Sequence, residues 1–337
     1  MSDTIEHKDQ ATLTGLEDYL APDIKVLNQV VTDDYAVYNG DSTEVIQGLE
    51  DNSIDYSIFS PPFASLYTYS NSNRDMGNSR TRSEFYKHFE FLAKELFRVI
   101  KKGRLLSFHC MNLPTSKQND GYIGIHDFRG EMVRIFESAG FVFHSEVCIW
   151  KDPVVAQQRT KALGLLHKQL VKDSSMSRQG IPDYLVTMRK LGDNEEPISG
   201  GFTYYNGTDT FSEKFDEDAG RLNRGSIMTW QRYASPIWMD INPSNTLQHR
   251  SCRSEKDERH ICPLQLEVIE RALQLWSNEG DTVLSPFGGI GSEGYQALKM
   301  NRKTILCELK QEYFEQIPKN MEMAIKERAN SRGLFDE

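Results

Sequence analysis

A chain of 337 residues, 26% charged and 38% hydrophobic, can bury a substantial core, and no apolar run approaches the roughly 18 residues that a membrane span needs. Its formal charge of −10 argues against a protein that coats nucleic acid non-specifically, because such binding is driven by counterion release at many Lys and Arg contacts, but it leaves room for a local basic groove. Five scattered cysteines, Cys110, Cys148, Cys252, Cys262 and Cys307, contain no C-x-x-C, which excludes a disulfide scaffold and points to reduced thiols.

The first 23 residues are polar and acidic and lack the positive and apolar regions of a signal peptide, as expected of a cytoplasmic protein, and residues 1–34 show little periodicity and read as an arm or a short helix. YAVYNGD follows as a strand with a turn at Gly40 and Asp41, then STEVIQGLE as a helix and IDYSIFS as a strand stopped by Pro61 and Pro62. SEFYKHFEFLAKELFRVI carries Phe85, Phe89, Leu92, Leu96 and Val99 at three- and four-residue spacing, so an amphipathic helix capped by Ser83 is predicted. RLLSFHC reads as a buried strand, EMVRIFESAG as a helix closed by Gly140, and FVFHSEVCIW as another strand. QRTKALGLLHKQLVK reads as a basic helix, and residues 191–225 as loop. Alternation resumes with helix LQLEVIERALQLW, strand TVLSPF, helix SEGYQALKM, strand TILCE and a final helix over EYFEQIPKNMEMAIKER. This βα alternation predicts an α/β fold with a mostly parallel sheet.

Two constellations carry chemistry. GIGSEG, Gly289 to Gly294, follows a strand and opens a helix, so its glycines allow a tight turn and close ligand approach while the helix N-terminus offers free N–H groups. The next strand ends in Glu308, placed to bind ribose hydroxyls, and together these features specify a nucleoside-type cofactor. A glycine turn that only packs helix on strand is the plainer alternative. The second constellation is Phe59-Ser60-Pro61-Pro62-Phe63. Prolines fix the backbone and carry no N–H, so the turn presents oxygens without a competing donor. Such acceptors suit an exocyclic base amine, a poor nucleophile whose protons they can hold, and Phe63 can stack on a base flipped from the duplex. Taken alone, FSPPF also reads as a simple turn.

FSPPF with SPFGGIGSEG resembles the DNA amino-methyltransferases that modify cytosine N4 or adenine N6, in the permuted β-class order with the catalytic motif first. The resemblance implies a Rossmann-like S-adenosylmethionine-dependent core, from about Tyr35 to Trp150 and His260 to Phe314, with an edge reversal in its sheet. It implies catalytic roles for Ser60, Pro61, Pro62 and Phe63, and cofactor binding by Ser285, Phe287, Gly288, Gly289, Gly291 and Glu308. Asp41 falls near the adenine, and His260 and Pro263 near the methionine end. Ser285 stands where the family commonly has Asp. Ser60 at the head of the motif favours cytosine N4, with adenine N6 the alternative. Double-stranded DNA is the implied partner, in a restriction-modification setting; a homodimer stays open.

The expected domains are an arm (1–34), a catalytic half (35–150), a target-recognition insert (151–250) and a cofactor half with tail (251–337). Within the insert Lys151, Arg159, Lys161, Lys168, Lys172, Arg178, Arg189 and Lys190 face only three aspartates, a candidate phosphate-contacting surface. Trp230, Arg232, Tyr233 and Trp238 are candidates for base or phosphate contact, though aromatic residues are more often core. No metal is expected, since His249, Cys252, His260 and Cys262 match no standard zinc spacing. His109, Cys110 and Asn112 end a strand and either line the pocket or are satisfied core groups. The tail Leu334-Phe335 resembles a sliding-clamp-binding peptide, beside the plainer reading of a frayed end. A rival class is a nicotinamide-dependent oxidoreductase, since GIGSEG with Glu308 is also a dinucleotide signature, although few residues follow it and FSPPF would have no role.

Overall fold

The computed structural model describes residues 26–62, 81–198, 224–247 and 263–333. The first half contains β1 (Asn28–Val31), β2 (Tyr35–Asn39), α1 (Ser42–Gln47), β3 (Ile54–Phe59), α2 (Arg82–Val99) and β4 (Ile100–Met111). A small excursion, β5 (Leu113–Pro114), α3 (Lys117–Asp120) and β6 (Ile125–His126), leads to α4 (Phe128–Ala139) and β7 (Val142–Ile149). Next come α5 (Pro153–Thr160), α6 (Gln169–Lys172), β8 (Asp183–Arg189), α7 (Arg224–Tyr233) and β9 (Ile237–Trp238). The chain closes with α8 (Leu266–Trp276), β10 (Thr282–Ser285), α9 (Ser292–Lys299), β11 (Lys303–Glu308) and α10 (Gln311–Gly333).

Nine strands form one mixed sheet in the order β1-β2-β11-β10-β3-β4-β8-β7-β9, with β2 through β4 mutually parallel. Helices cover this parallel block, and accordingly β2 and β3 are buried at every residue. The face of α2 that carries Phe85, Phe89, Leu92, Leu96 and Val99 is buried as its spacing predicts. Thr81, not Ser83, caps that helix, its hydroxyl accepting from the Glu84 N–H at 3.2 Å. α4 does end at Gly140, in the left-handed region at φ 112°.

The sheet reverses at one edge, where β1 runs antiparallel to β2, and again in its interior, where β8 runs antiparallel to both β4 and β7. β9 then pairs with β7, so the 151–250 span expected as one insert returns to the sheet twice. The predicted arm also ends inside the fold, because β1 pairs antiparallel with β2. The helix expected over QRTKALGLLHKQLVK is broken at Lys161, whose φ of 56° stops α5, and only α6 resumes beyond it.

At the amino ends of β3 and β10 a buried ion network clamps the two strands. Asp55 Oδ1 accepts from Lys101 Nζ (2.6 Å) and Arg104 (3.2 Å), while its Oδ2 accepts from the Thr282 N–H at 2.9 Å. Arg104 also donates to Asp281, which accepts the Asn278 N–H at 2.7 Å. Asp55, Glu196 and Asp281 form a carboxylate cluster that sequence reading missed; Arg104 and Lys101 supply cationic charge there.

Candidate functional site

Parallel neighbours must end on the same edge of a sheet, and β3 and β10 are parallel neighbours with Val283 opposite Tyr56 and Leu284 opposite Ser57. The Ser57 hydroxyl locks the register by donating to the Leu284 carbonyl at 2.9 Å. Ser60-Pro61-Pro62 and Ser285-Pro286-Phe287-Gly288 therefore leave the sheet side by side, at the carboxyl edge where α/β proteins bind ligands. The rings of Phe59 and Phe287 meet there at 5.8 Å between centroids. Pro61 and Pro62 are buried and Ser60 is half-buried; Phe63 and His260 lie outside the described residues.

The glycine loop folds back on β11. Gly288 N–H donates to the Cys307 carbonyl and Gly291 N–H to the Gly288 carbonyl, both at 2.7 Å. Gly289 and Gly291 take positive φ, 53° and 88°, and a Cβ on Gly291 would sit 2.8 Å from Met321 Cε. Space beside the Gly289 Cα is open to 4 Å, and α9 begins with no side-chain cap on its first N–H groups. Glu308 has a role that sequence reading missed: Oε2 accepts from the Gly289 N–H and Oε1 from the Lys310 N–H, each at 2.7 Å. A carboxylate offers about four lone-pair sites, so pinning the loop is compatible with accepting ribose hydroxyls.

Asp41 reaches the same edge from β2, which pairs in parallel with β11 so that Asn39 faces Glu308. Its side chain is already engaged as the cap of α1, accepting from the Thr43 N–H at 2.8 Å. Pro263 is half-buried ahead of α8, and its chain neighbour Leu264 packs with Tyr56, Ile58 and Val283 of β3 and β10. Burial, reinforced by the charge of Glu308 against one bond from its own backbone N–H, pushes the Glu293 carboxyl up to about 8. At pH 7 Glu293 is therefore neutral and adds no charge to the loop.

These residues fit a nucleoside with a charged tail. The buried Ser285 hydroxyl has no partner among the described residues, which marks a polar group shaped for a ligand. An open backbone approach at Gly289 and an acidic side chain at Glu308 lie on the same loop.

Reversal of β8 brings its first residue, Asp183, to this edge, opposite Met111 and two pairs from His109 on β4. Ser60 Oγ lies 3.2 Å from His109 Nδ1, His109 Nε2 lies 3.2 Å from Asp183 Oδ2, and Asp183 Oδ1 accepts from Lys151 Nζ at 2.5 Å. His109 is legible in the sequence as a strand-end residue that lines the pocket or sits satisfied in the core, whereas Lys151 reads as one of the basic residues of its segment and Asp183 as one of the three aspartates facing them.

That segment divides. Lys190 is buried, its ammonium bonded to Asn52 Oδ1 and to the Arg98 and Ile100 carbonyls, and Lys151 is spent on Asp183. Arg189 belongs to β8. Arg159, Lys161, Lys168 and Lys172 stand exposed on the excursion between β7 and β8, beside exposed Val154, Leu163, Leu170 and Val171. Tyr233 and Trp238 are core residues, each with the Arg271 guanidinium about 5 Å from its ring, whereas Trp230 is exposed and Arg232 pairs with Asp240. His249, Cys252, Cys262, Leu334 and Phe335 lie outside the described residues, among which no helix is long and apolar enough to cross a membrane.

A family model described as DNA methylase, of the N6/N4 type, matches residues 54–319. The orphan methyltransferase M.BamHII of Bacillus amyloliquefaciens is 24% identical over 267 residues, 79% of this chain and 88% of that protein. Among solved structures, a Thermus thermophilus protein described as a putative DNA modification methylase, complexed with S-adenosyl-L-methionine, superposes with a TM-score of 0.60 at 18% identity, covering 86% of this chain and 93% of its own. The PvuII DNA methyltransferase, described as cytosine-N4-specific, gives 0.58 at 16% identity over 90% and 95% of the two chains.

Proposed function

The chain belongs to the N6/N4 DNA methylase family, a DNA methyltransferase that uses S-adenosylmethionine, and we propose that it methylates cytosine N4 at a centre built from Ser60, Pro61 and the loop after β10. The nicotinamide alternative finds no support in these matches. One observation carries the site assignment: β3 and β10 are parallel neighbours, so the proline turn and the glycine loop emerge together.

When bound, S-adenosylmethionine supplies an electrophilic methyl on sulfur. Glu308, Gly289 and the first turn of α9 hold its nucleoside, Ser285 and Phe287 line the approach, and Asp41 faces the adenine from β2. Ser60 Oγ and the Pro61 carbonyl accept the protons of the flipped base's amine, which favours a pyramidal nitrogen with its lone pair aimed at the methyl. Phe63 stacks on the base, and Pro62 keeps the turn rigid. His260 and Pro263 stay assigned to the methionine end. Phosphates are met by Arg159, Lys161, Lys168 and Lys172 on the exposed excursion rather than by the whole basic segment from Lys151 to Lys190.

Support for cytosine N4 over adenine N6 comes from Ser60 at the head of the proline motif. Mass spectrometry of nucleosides from duplex DNA incubated with the protein and S-adenosylmethionine is expected to show N4-methylcytosine. N6-methyladenine alone would overturn the choice of base.

A further inference from the structure

We propose that His109, oriented by Asp183 and Lys151, receives through Ser60 the proton that the base amine gives up on methylation. This rests on the reading of Ser60 as the amine's acceptor. The chain of groups is short and continuous: Ser60 Oγ to His109 Nδ1 at 3.2 Å, His109 Nε2 to Asp183 Oδ2 at 3.2 Å, Asp183 Oδ1 to Lys151 Nζ at 2.5 Å. Among the described residues the Ser60 hydroxyl has one other acceptor in reach, the His109 carbonyl at 3.4 Å, so both options belong to the same residue.

The buried carboxylate decides the imidazole's tautomer. Asp183 can only accept, so its charge favours the ring hydrogen on Nε2 and leaves the Nδ1 lone pair facing Ser60. The Nε2 contact is an ion-pair distance without hydrogen-bond alignment, so the attraction is electrostatic and grows when the ring is protonated. Burial works against the charge on Asp183, but His109 and Lys151 hold its carboxyl below the usual range. Lys151 shares that carboxylate, so Asp183 faces a cation on one oxygen and the His109 ring on the other.

The chemistry supplies such a proton. As the nitrogen–methyl bond forms, the sulfur–methyl bond breaks with its electron pair left on sulfur, and the methylated amine carries one proton too many. Ser60 Oγ takes that proton while its own hydroxyl proton passes to His109 Nδ1, and the imidazolium faces the Asp183 carboxylate. No further reactant is needed. A serine hydroxyl alone is far too weak a base for the task, and the pair shares the load as nucleophile and histidine do elsewhere. His109 acts through Ser60 and is a positioning and proton-accepting residue. The groups that face it among the described residues are Ser60 from β3, Asp183 from β8 with Lys151 behind it, and neutral Cys110 on its own strand, whose thiol burial pushes up; Arg129 and Glu146, paired with each other, lie on the Cys110 side.

The test is single-turnover methyl transfer to duplex DNA against pH. Wild type is expected to show an acid limb, losing rate as pH falls, because a His109 protonated before reaction cannot accept the proton. His109→Asn keeps an acceptor for Ser60 but cannot titrate, so its rate falls about 10²-fold with S-adenosylmethionine affinity unchanged and the acid limb vanishes. Lys151→Met, at a half-exposed site, is expected to keep the fold and move the acid limb up by about 0.5 to 1 pH unit, because Asp183 then acts on His109 alone. A purely structural His109 would lower the rate equally at every pH. The relay is overturned by a wild-type rate or an unmoved acid limb in His109→Asn, or, if that variant does not fold, by an unmoved limb in Lys151→Met. Absence of any methylated nucleoside from wild type would instead overturn the reading of Ser60 beneath it.

Discussion

Glu308→Ala is expected to weaken S-adenosylmethionine binding by about 10² to 10³-fold, measured by titration calorimetry, while leaving the rest of the fold intact. The carboxylate ties Gly289 to the end of β11 through two charge-assisted bonds from the Gly289 and Lys310 N–H groups. Bonds to charged groups contribute about 1.5–3 kcal/mol each, and 1.4 kcal/mol is a factor of ten in affinity. Loss of the carboxylate releases a loop that holds positive φ at Gly289 and Gly291, so ordering it again must come out of binding free energy, and any ribose contact is lost as well. Glu308→Gln should fall between, since an amide oxygen can accept from one of the two N–H groups. Wild-type affinity in Glu308→Ala would show that the loop needs no anchor and that the nucleoside binds elsewhere.

Arg104→Met is expected to lower the unfolding free energy by about 3–5 kcal/mol in urea denaturation, the range for breaking a buried ion pair by removing one partner. Arg104 is 4% exposed and lies between Asp55 and Asp281, both 7% exposed. Methionine fills much of the stem's volume but leaves both carboxylates without the guanidinium. Asp55 retains Lys101, whereas Asp281, whose carboxyl burial already pushes up, keeps the bond from the Asn278 N–H. The consequence reaches the other end of the sheet. Asp55 and Asp281 fasten the starts of β3 and β10, the strands whose far ends carry Ser60 and the glycine loop, so cofactor affinity should fall along with stability. A loss below about 1 kcal/mol would mean that Lys101 alone neutralises the pair.

The features that chemistry needs locally were legible in the sequence. Gly289 and Gly291 require positive φ, Pro61 and Pro62 must stop a strand, and α2 must bury Phe85 and Phe89, so pattern reading found all three. What escaped depends on partners far away in the chain. β8 was hidden because its flanking charges look like surface charges; only pairing with β4 and β7 shows that Asp183 and Lys190 are buried and engaged. Trp238 and Tyr233 read either as core or as binding aromatics, and burial beneath Arg271, from a later helix, selects the core reading. Lys161 ends α5 in a left-handed conformation that nothing in its residue type requires, so the break in the expected basic helix had no local signal. The loop-anchoring role of Glu308 escaped for a similar reason, since a backbone N–H can donate to any carboxylate that the fold delivers.

The central claim is that the turn after β3 and the loop after β10 form one pocket for methyl donor and amine. A structure of the protein with S-adenosylhomocysteine tests it most directly. The ribose is expected at Glu308 and Gly289, with the sulfur facing Ser60 and the Pro61 carbonyl. A nucleoside seated away from Glu308, or a sulfur turned from Ser60, would contradict it.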